Sequence, residues 1–239
     1  MGKPVIAALL ASALLILWIG EFTDIDLNLT RSLYDYAAHD FPLRHHWFTE
    51  GFNHGVLKTV LTVLAVGIVA TALYDRLRPI ARLTAWSRAR LRVVAWSAVM
   101  VPLVVTGLKR ISVSHCPWDL IEFGGDERYV RLLESALSHA PAGHCMPAGH
   151  ASSALWLVSL AVFWLPHRPR MAALVGTLML VFGFCVGWVQ QLRGAHFLTH
   201  TLWTVWIACA VVSVLYALLL RPSVAARSAA LEHGATPAA

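Results

Sequence analysis

Six apolar segments set the limits on this chain: residues 4–20, 55–74, 91–108, 150–166, 171–191 and 201–220. Each is close to the roughly 20 helical residues that cross about 30 Å of hydrocarbon. A backbone inside lipid must satisfy its own N–H and C=O groups, so segments of this kind cross as helices. The expectation is an all-α, polytopic membrane protein with about six transmembrane helices. Composition agrees: 58% of the 239 residues are hydrophobic and 13% charged, against about a quarter charged in a soluble domain. The 10 Trp suit lipid–water boundaries. No polar stretch is long enough for a soluble domain and no internal repeat is present, so residues 1–239 read as a single membrane domain. Within it, residues 21–53 form an outer loop and 222–239 a cytoplasmic tail. The outer loop, with Asp24, Asp26, Asp35, Asp40 and several aromatics, reads equally as an amphipathic segment on the membrane surface or as a solvated connection. Lys3 ahead of the first apolar run has the look of a signal peptide. The run is long for a signal core and lacks a small-x-small cleavage site, so a retained first helix is expected.

Charge orients the spans. Arg76, Arg78, Arg82, Arg88, Arg90 and Arg92 follow the second segment, Arg168 and Arg170 the fourth, and Arg221 and Arg227 the sixth, while Lys3 precedes the first. With six spans all of these fall on one side, which the positive-inside rule makes the cytoplasm. The opposite side takes 11 of the 13 acidic residues, Asp75 and Glu232 being the other two. The net charge of +6 is therefore a matter of topology and gives no support to a nucleic-acid partner.

Three places on the outer side carry polar groups that helix packing does not need. Lys109-Arg110 ends the third segment, ahead of His115-Cys116-Pro117-Trp118-Asp119. Pro147-Ala148-Gly149-His150 precedes the fourth, where free backbone N–H groups and the helix dipole favour an anion and Gly149 admits one close to the backbone. Arg193-Gly-Ala-His196-Phe-Leu-Thr-His200 joins the fifth and sixth. If that last stretch is helical, Arg193, His196 and His200 share one face. Ionisable groups beside a bilayer are costly and mark function. Cations, a helix N-terminus and imidazoles are equipment for binding and moving a phosphate, because histidine can attack phosphorus and can donate a proton near neutral pH.

These motifs resemble those of the type 2 phosphatidic acid phosphatase superfamily: K-x6-R-P, P-S-G-H and S-R-x5-H-x3-D, on the outer ends of a six-helix core. Here Lys109 is followed after six residues by Cys116-Pro117, the second motif reads Pro147-Ala148-Gly149-His150, and the third reads Gly194-Ala195-His196-Phe197-Leu198-Thr199-His200. The likeness covers roughly residues 55–215. The departures are Cys116 for the first motif's arginine, Ala148 for the serine, Gln190 for the third motif's arginine, and His200 for the aspartate that orients the nucleophile.

The resemblance implies an enzyme: a lipid-phosphate phosphatase of the bacterial inner membrane, with its site facing the periplasm. In the family mechanism His196 attacks phosphorus to form a phosphohistidine, and His150 protonates the departing lipid oxygen and then activates water. Lys109 and Arg193, with Arg110 as a lesser candidate, hold the phosphate oxygens, and Gly149 supplies a backbone donor. His200 is expected to hydrogen-bond His196, and Asp119 to supply the missing negative charge. The scheme needs no metal or other cofactor. Its partners are a lipid phosphate and the surrounding membrane lipids, the candidates being undecaprenyl (pyro)phosphate, a phosphatidyl-type phosphate and a lipid A phosphate.

Three other readings stand beside it. His196 and His200 have zinc-like spacing with His115, Cys116, His144, Cys145 and His150 nearby, although Phe197 follows His196 where an H-E-x-x-H motif has its base. The altered motifs also suit a lipid-binding protein without activity. A phosphotransferase would use the same phosphohistidine. Of the four cysteines, Cys185 and Cys209 fall in apolar helices. Cys116 and Cys145 fall in outer loops, where an oxidising compartment allows a disulfide; the alternatives are two free thiols, or metal ligands alongside His115 and His144.

Overall fold

A computed structural model of the chain describes residues 2–135 and 142–220. The expected tail, 222–239, lies outside the described residues. The protein is all-α, with no strand among the described residues. Among the described residues five helices are long and apolar enough to cross a membrane: α1 (Lys3–Phe22), the continuous helix Phe48–Leu77, α4 (Ala85–Arg110), α7 (Pro169–Gln191) and α8 (Leu198–Leu219). A short helix α2 (Ile25–Arg31) follows α1, and a single turn α5 (Leu132–Ser135) lies in the loop after α4.

The fourth segment, Gly149–Trp164, is 16 residues by its bounds, short for an α-helix that must span. It begins as α6 (Gly149–Leu155) and tightens into a 3₁₀ helix over Trp156–Trp164. At about 1.5 Å per α residue and about 2.0 Å per 3₁₀ residue it reaches about 28 Å, close to the hydrocarbon thickness of about 30 Å. It is also the best-covered of the apolar segments. Ala151, Ala154, Leu155 and Trp156 are at most 1% exposed, and they pack with Val93, Val94, Val101 and Ala208 as the centre of the core. Glycine allows the close contact with α7: a Cβ at Gly187 would meet the Thr201 methyl at 2.5 Å and the Ala151 Cβ at 3.1 Å. Small residues serve in membranes to bring backbones together in this way. Large apolar side chains such as Leu10, Leu14, Val63, Leu103 and Leu178 face outward, as lipid contact requires.

The arginine-rich end is held by its own contacts. Thr84 caps α4 by accepting the Ser87 N–H at 3.2 Å. Arg88 bonds the Asp75 carboxylate at 3.1 Å and the Ile80 carbonyl, and Arg90 donates to the Leu165 carbonyl. At the other end the second span starts earlier than expected. Phe48–Leu57 is a π-helical extension running directly into α3 (Lys58–Leu77). This moves His54 out of the expected loop and onto one continuous helix with Lys58. π-helical turns occur often at functional sites.

Residues 21–47 are more than a plain solvated loop. They fold back on the loop 114–131 as a cap with its own small core of Tyr34, Phe41, Leu120, Phe123 and Phe197. Asp26, 3% exposed, accepts the Thr199 N–H at 3.0 Å and the Thr199 hydroxyl, so the cap docks onto the start of α8. Burial raises the Asp26 carboxyl above its usual range, against the pull of these bonds. Phe41 packs on Gly194, whose φ is +72° and whose added Cβ would stand 2.3 Å from the ring. Gly194→Ala is therefore expected to destabilise the protein by about 2–4 kcal/mol through left-handed strain and overpacking. A lowered melting temperature in detergent checks this; an unchanged one would show that the turn relaxes freely.

Candidate active site

All three motif segments meet at the end of the bundle opposite the arginine-rich end. Lys109 lies in the last turn of α4, His150 in the first turn of α6, and His196 and His200 where α7 hands over to α8. The His150 and His196 ring centroids are 6.3 Å apart, and those of His196 and His200 are 5.8 Å apart. Lys109 folds over the start of α6, its Nζ 3.9 Å from where a Cβ on Gly149 would stand. It is the cation common to the surroundings of all three imidazoles.

His196 is 3% exposed. Burial first, then the neighbouring His200, Lys109 and His150, holds its imidazole well below the ordinary histidine range, while a bond with the Cys145 backbone pulls the other way. At neutral pH the ring therefore carries a free lone pair. Its Nδ1 faces the Cys145 sulfur at 3.4 Å. Both ring nitrogens of His150 are shut off from solvent and have no hydrogen-bond partner among the described residues. Buried polar atoms are rarely left this way in folded proteins, and two on one ring mark a place where a polar ligand fits.

His150 also forms one end of a cavity of about 730 Å³ between α3, α4 and α6. The polar end is made by Lys58, Lys109, Gly149 and His150, and the walls by apolar residues including Leu61, Val66, Val69, Leu73, Val99 and Pro102. Charge sits at one end of a greasy groove, an arrangement that suits an amphiphile.

The other expected site residues are placed differently. Residues 192–197 are a turn, so Arg193, His196 and His200 do not share a helical face; the left-handed Gly194 breaks the run. Arg193 is in the vicinity of His54 and His150, but its guanidinium is already engaged. It bonds the Arg44 carbonyl at 2.8 Å, the Gln190 side-chain oxygen at 3.0 Å and the Glu50 carboxylate at 3.1 Å. His200 does not bond His196; its Nε2 pairs with the Ser114 hydroxyl at 3.0 Å. Asp119 turns its carboxylate back onto the Cys116 N–H at 3.3 Å and caps its own turn, which leaves it no contact with His196. Arg110 is exposed and lies outside the groove lining. The sulfurs of Cys116 and Cys145 stand at bonding distance, with Cα atoms 5.2 Å apart, within the usual range for a disulfide. Together with His196 they are also the one set among the described residues grouped closely enough to hold a metal ion.

Three neighbours were not foreseen. His54 packs its ring 4.1 Å from that of His150. Lys58 adds a second cation at the groove end, and Asn53 bonds Gln190 at 2.7 Å, where the family motif has arginine. The four-residue step from His54 to Lys58 was a usable helical signal, hidden by starting the span at residue 55.

A polytopic helical protein with a lysine and two histidines gathered at one membrane face defines a class of lipid-phosphatase-type folds. Residues 90–222 match the PAP2 superfamily, and the chain belongs to it. No curated protein and no solved structure matches the chain.

Proposed function

We propose that the chain hydrolyses a phosphomonoester or pyrophosphate of an amphiphilic lipid at the periplasmic face of a bacterial inner membrane, through a phosphohistidine. The observation that carries this reading is the groove of about 730 Å³ that ends on Lys58, Lys109, Gly149 and the unpartnered ring of His150. Lipid chains fill the apolar walls, and the phosphate reaches the cations and the first N–H groups of α6. His196 turns Nδ1 toward Cys145, leaving Nε2 to attack phosphorus. The Cys145 backbone takes the orienting part that the family motif gives to aspartate. As the N–P bond forms, the P–O bond to the lipid breaks, and His150 gives its proton to the departing oxygen. The phosphate brings the negative charge that an imidazolium at His150 needs among Lys58, Lys109 and Arg193. His150, now neutral, takes a proton from water as the water attacks the phosphohistidine, and inorganic phosphate and free His196 result. The arginine-rich ends lying opposite the site support the periplasmic reading.

Purified protein should release phosphate from at least one of undecaprenyl pyrophosphate, undecaprenyl phosphate, phosphatidic acid, phosphatidylglycerol phosphate or lipid A, and EDTA should leave the rate unchanged. The second reading, lipid binding without turnover, draws on Arg193 being neutralised by Glu50 and on Cys116 in place of an arginine. Binding of these lipids with no release from any of them would decide for it. Loss on chelation with restoration by zinc would decide for a metal site at Cys116, Cys145 and His196.

A further inference from the structure

The groove between α3 and α4 does not end at mid-membrane. A second cavity of about 410 Å³ shares Val69, Leu73 and Val99 with the first and continues it to the arginine-rich end. There it is flanked by Arg76 from α3 and Arg92 from α4, with Trp96 beside them. Two other arginines of this end, Arg88 and Arg90, are tied to protein. Arg88 bonds Asp75 and Ile80, and Arg90 bonds Leu165 and lies over the Trp86 ring at 4.9 Å. Arg76 and Arg92 make no hydrogen bond or ion pair among the described residues, and both are exposed. Two guanidinium groups without a hydrogen bond among the described residues, Arg92 also within electrostatic reach of Asp75, therefore stand at the mouth of an apolar cleft, at the level where Trp96 suits the headgroup boundary.

We infer that this end of the groove is a binding site for an anionic diacyl phospholipid of the leaflet opposite the histidines, its phosphate held by Arg76 and Arg92 and its acyl chain lying between Leu73, Val99 and Trp96. Charge complementarity selects the occupant. Arginine presents a fork that matches phosphate, basic pockets between helices on the cytoplasmic side take acidic headgroups, and the apolar cleft takes the chain that a free phosphate lacks. Its arginine end lies apart from the histidine cluster, sharing only the apolar wall of Val69, Leu73 and Val99 with the first cavity, and it does not rest on catalysis there.

The test is native mass spectrometry of the delipidated, detergent-purified protein titrated with phosphatidylglycerol and with phosphatidylcholine of the same chains. The wild type is expected to bind phosphatidylglycerol roughly twenty-five-fold more tightly, each arginine at the membrane surface contributing about fivefold. In the Arg76→Gln/Arg92→Gln double variant the preference should fall close to one while phosphate release stays unchanged. Equal binding of the two lipids by the wild type, or a preference that survives in the double variant, would overturn the site. Should the double variant melt early, Leu73→Trp fills the cleft and keeps both arginines. Phosphatidylglycerol binding should drop at least tenfold there, and undiminished binding would place the lipid elsewhere.

Discussion

His196→Ala is expected to abolish turnover, by about a thousandfold or more, while the protein still folds and still binds its lipid. An acid-labile phosphoenzyme should be trapped on the wild type and not on the variant. The size of the loss follows from what the ring provides. It is the buried imidazole with a free lone pair, held by the Cys145 backbone on one side and facing His150 at 6.3 Å on the other. No described neighbour can replace it: His200 is turned to Ser114, and His150 is needed as the acid. Removing an acid–base group alone costs typically 10²–10⁴-fold, so His150→Ala should also be severe but should leave a phosphoenzyme that forms slowly. Folding should persist, because the docking of α8 rests on Asp26, Thr199 and the Ala148–His200 backbone bond at 3.1 Å, none of which involves the His196 ring. A variant that turns over at the wild-type rate would sink the covalent mechanism. One that loses lipid binding together with activity would show that His196 is part of the binding wall.

The membrane frame was open to reading from residue order because each span carries its own signal. Apolar runs, helix-length spacing and arginine-rich connections are local properties, and the helices overlap those runs, with starts up to seven residues earlier. The sites where reading failed depend on neighbours distant in sequence. His200 lies 86 residues from Ser114, and Arg193 lies 143 from Glu50; no local pattern announces either partner. The helical face expected for Arg193, His196 and His200 failed for a local reason, the positive φ of Gly194 beneath the Phe41 ring. The motif residues nevertheless came together because each sits at the same end of its own span, which alternation of span direction guarantees. The gaps in the family motif are filled from unexpected quarters. Asn53 bonds Gln190 where arginine would stand, the Cys145 backbone reaches His196 where aspartate would act, and Lys58 brings a second cation from the π-helical extension. The cap of residues 21–47 and 114–131 was not legible, since it is held by five aromatic and aliphatic side chains scattered over the chain.

A Cys116–Cys145 link, for which the two sulfurs are placed, would join the first motif to the second, and its loss is expected to affect both stability and chemistry. Peptides from unreduced protein should show these two residues joined, with Cys185 and Cys209 free. The sequence separation is 29. Closing a loop of that size stabilises by about 3–4 kcal/mol in the chain-entropy model, so reduction or the Cys116→Ser/Cys145→Ser pair should lower the melting temperature in detergent by a clear margin. The chemical effect follows from position. Cys145 is fully buried, its backbone bonds the His196 ring, and its N–H donates to the Ser114 carbonyl at 3.0 Å beside the hydroxyl that holds His200. Freeing Cys145 therefore loosens two imidazoles at once. Turnover should fall while the affinity for lipid, set in the groove by Lys58 and Lys109, changes little. A reduced protein with an unaltered melting temperature and an unaltered rate would show that the link is dispensable. Alkylatable thiols at both positions in protein taken from an oxidising compartment would show that it does not form.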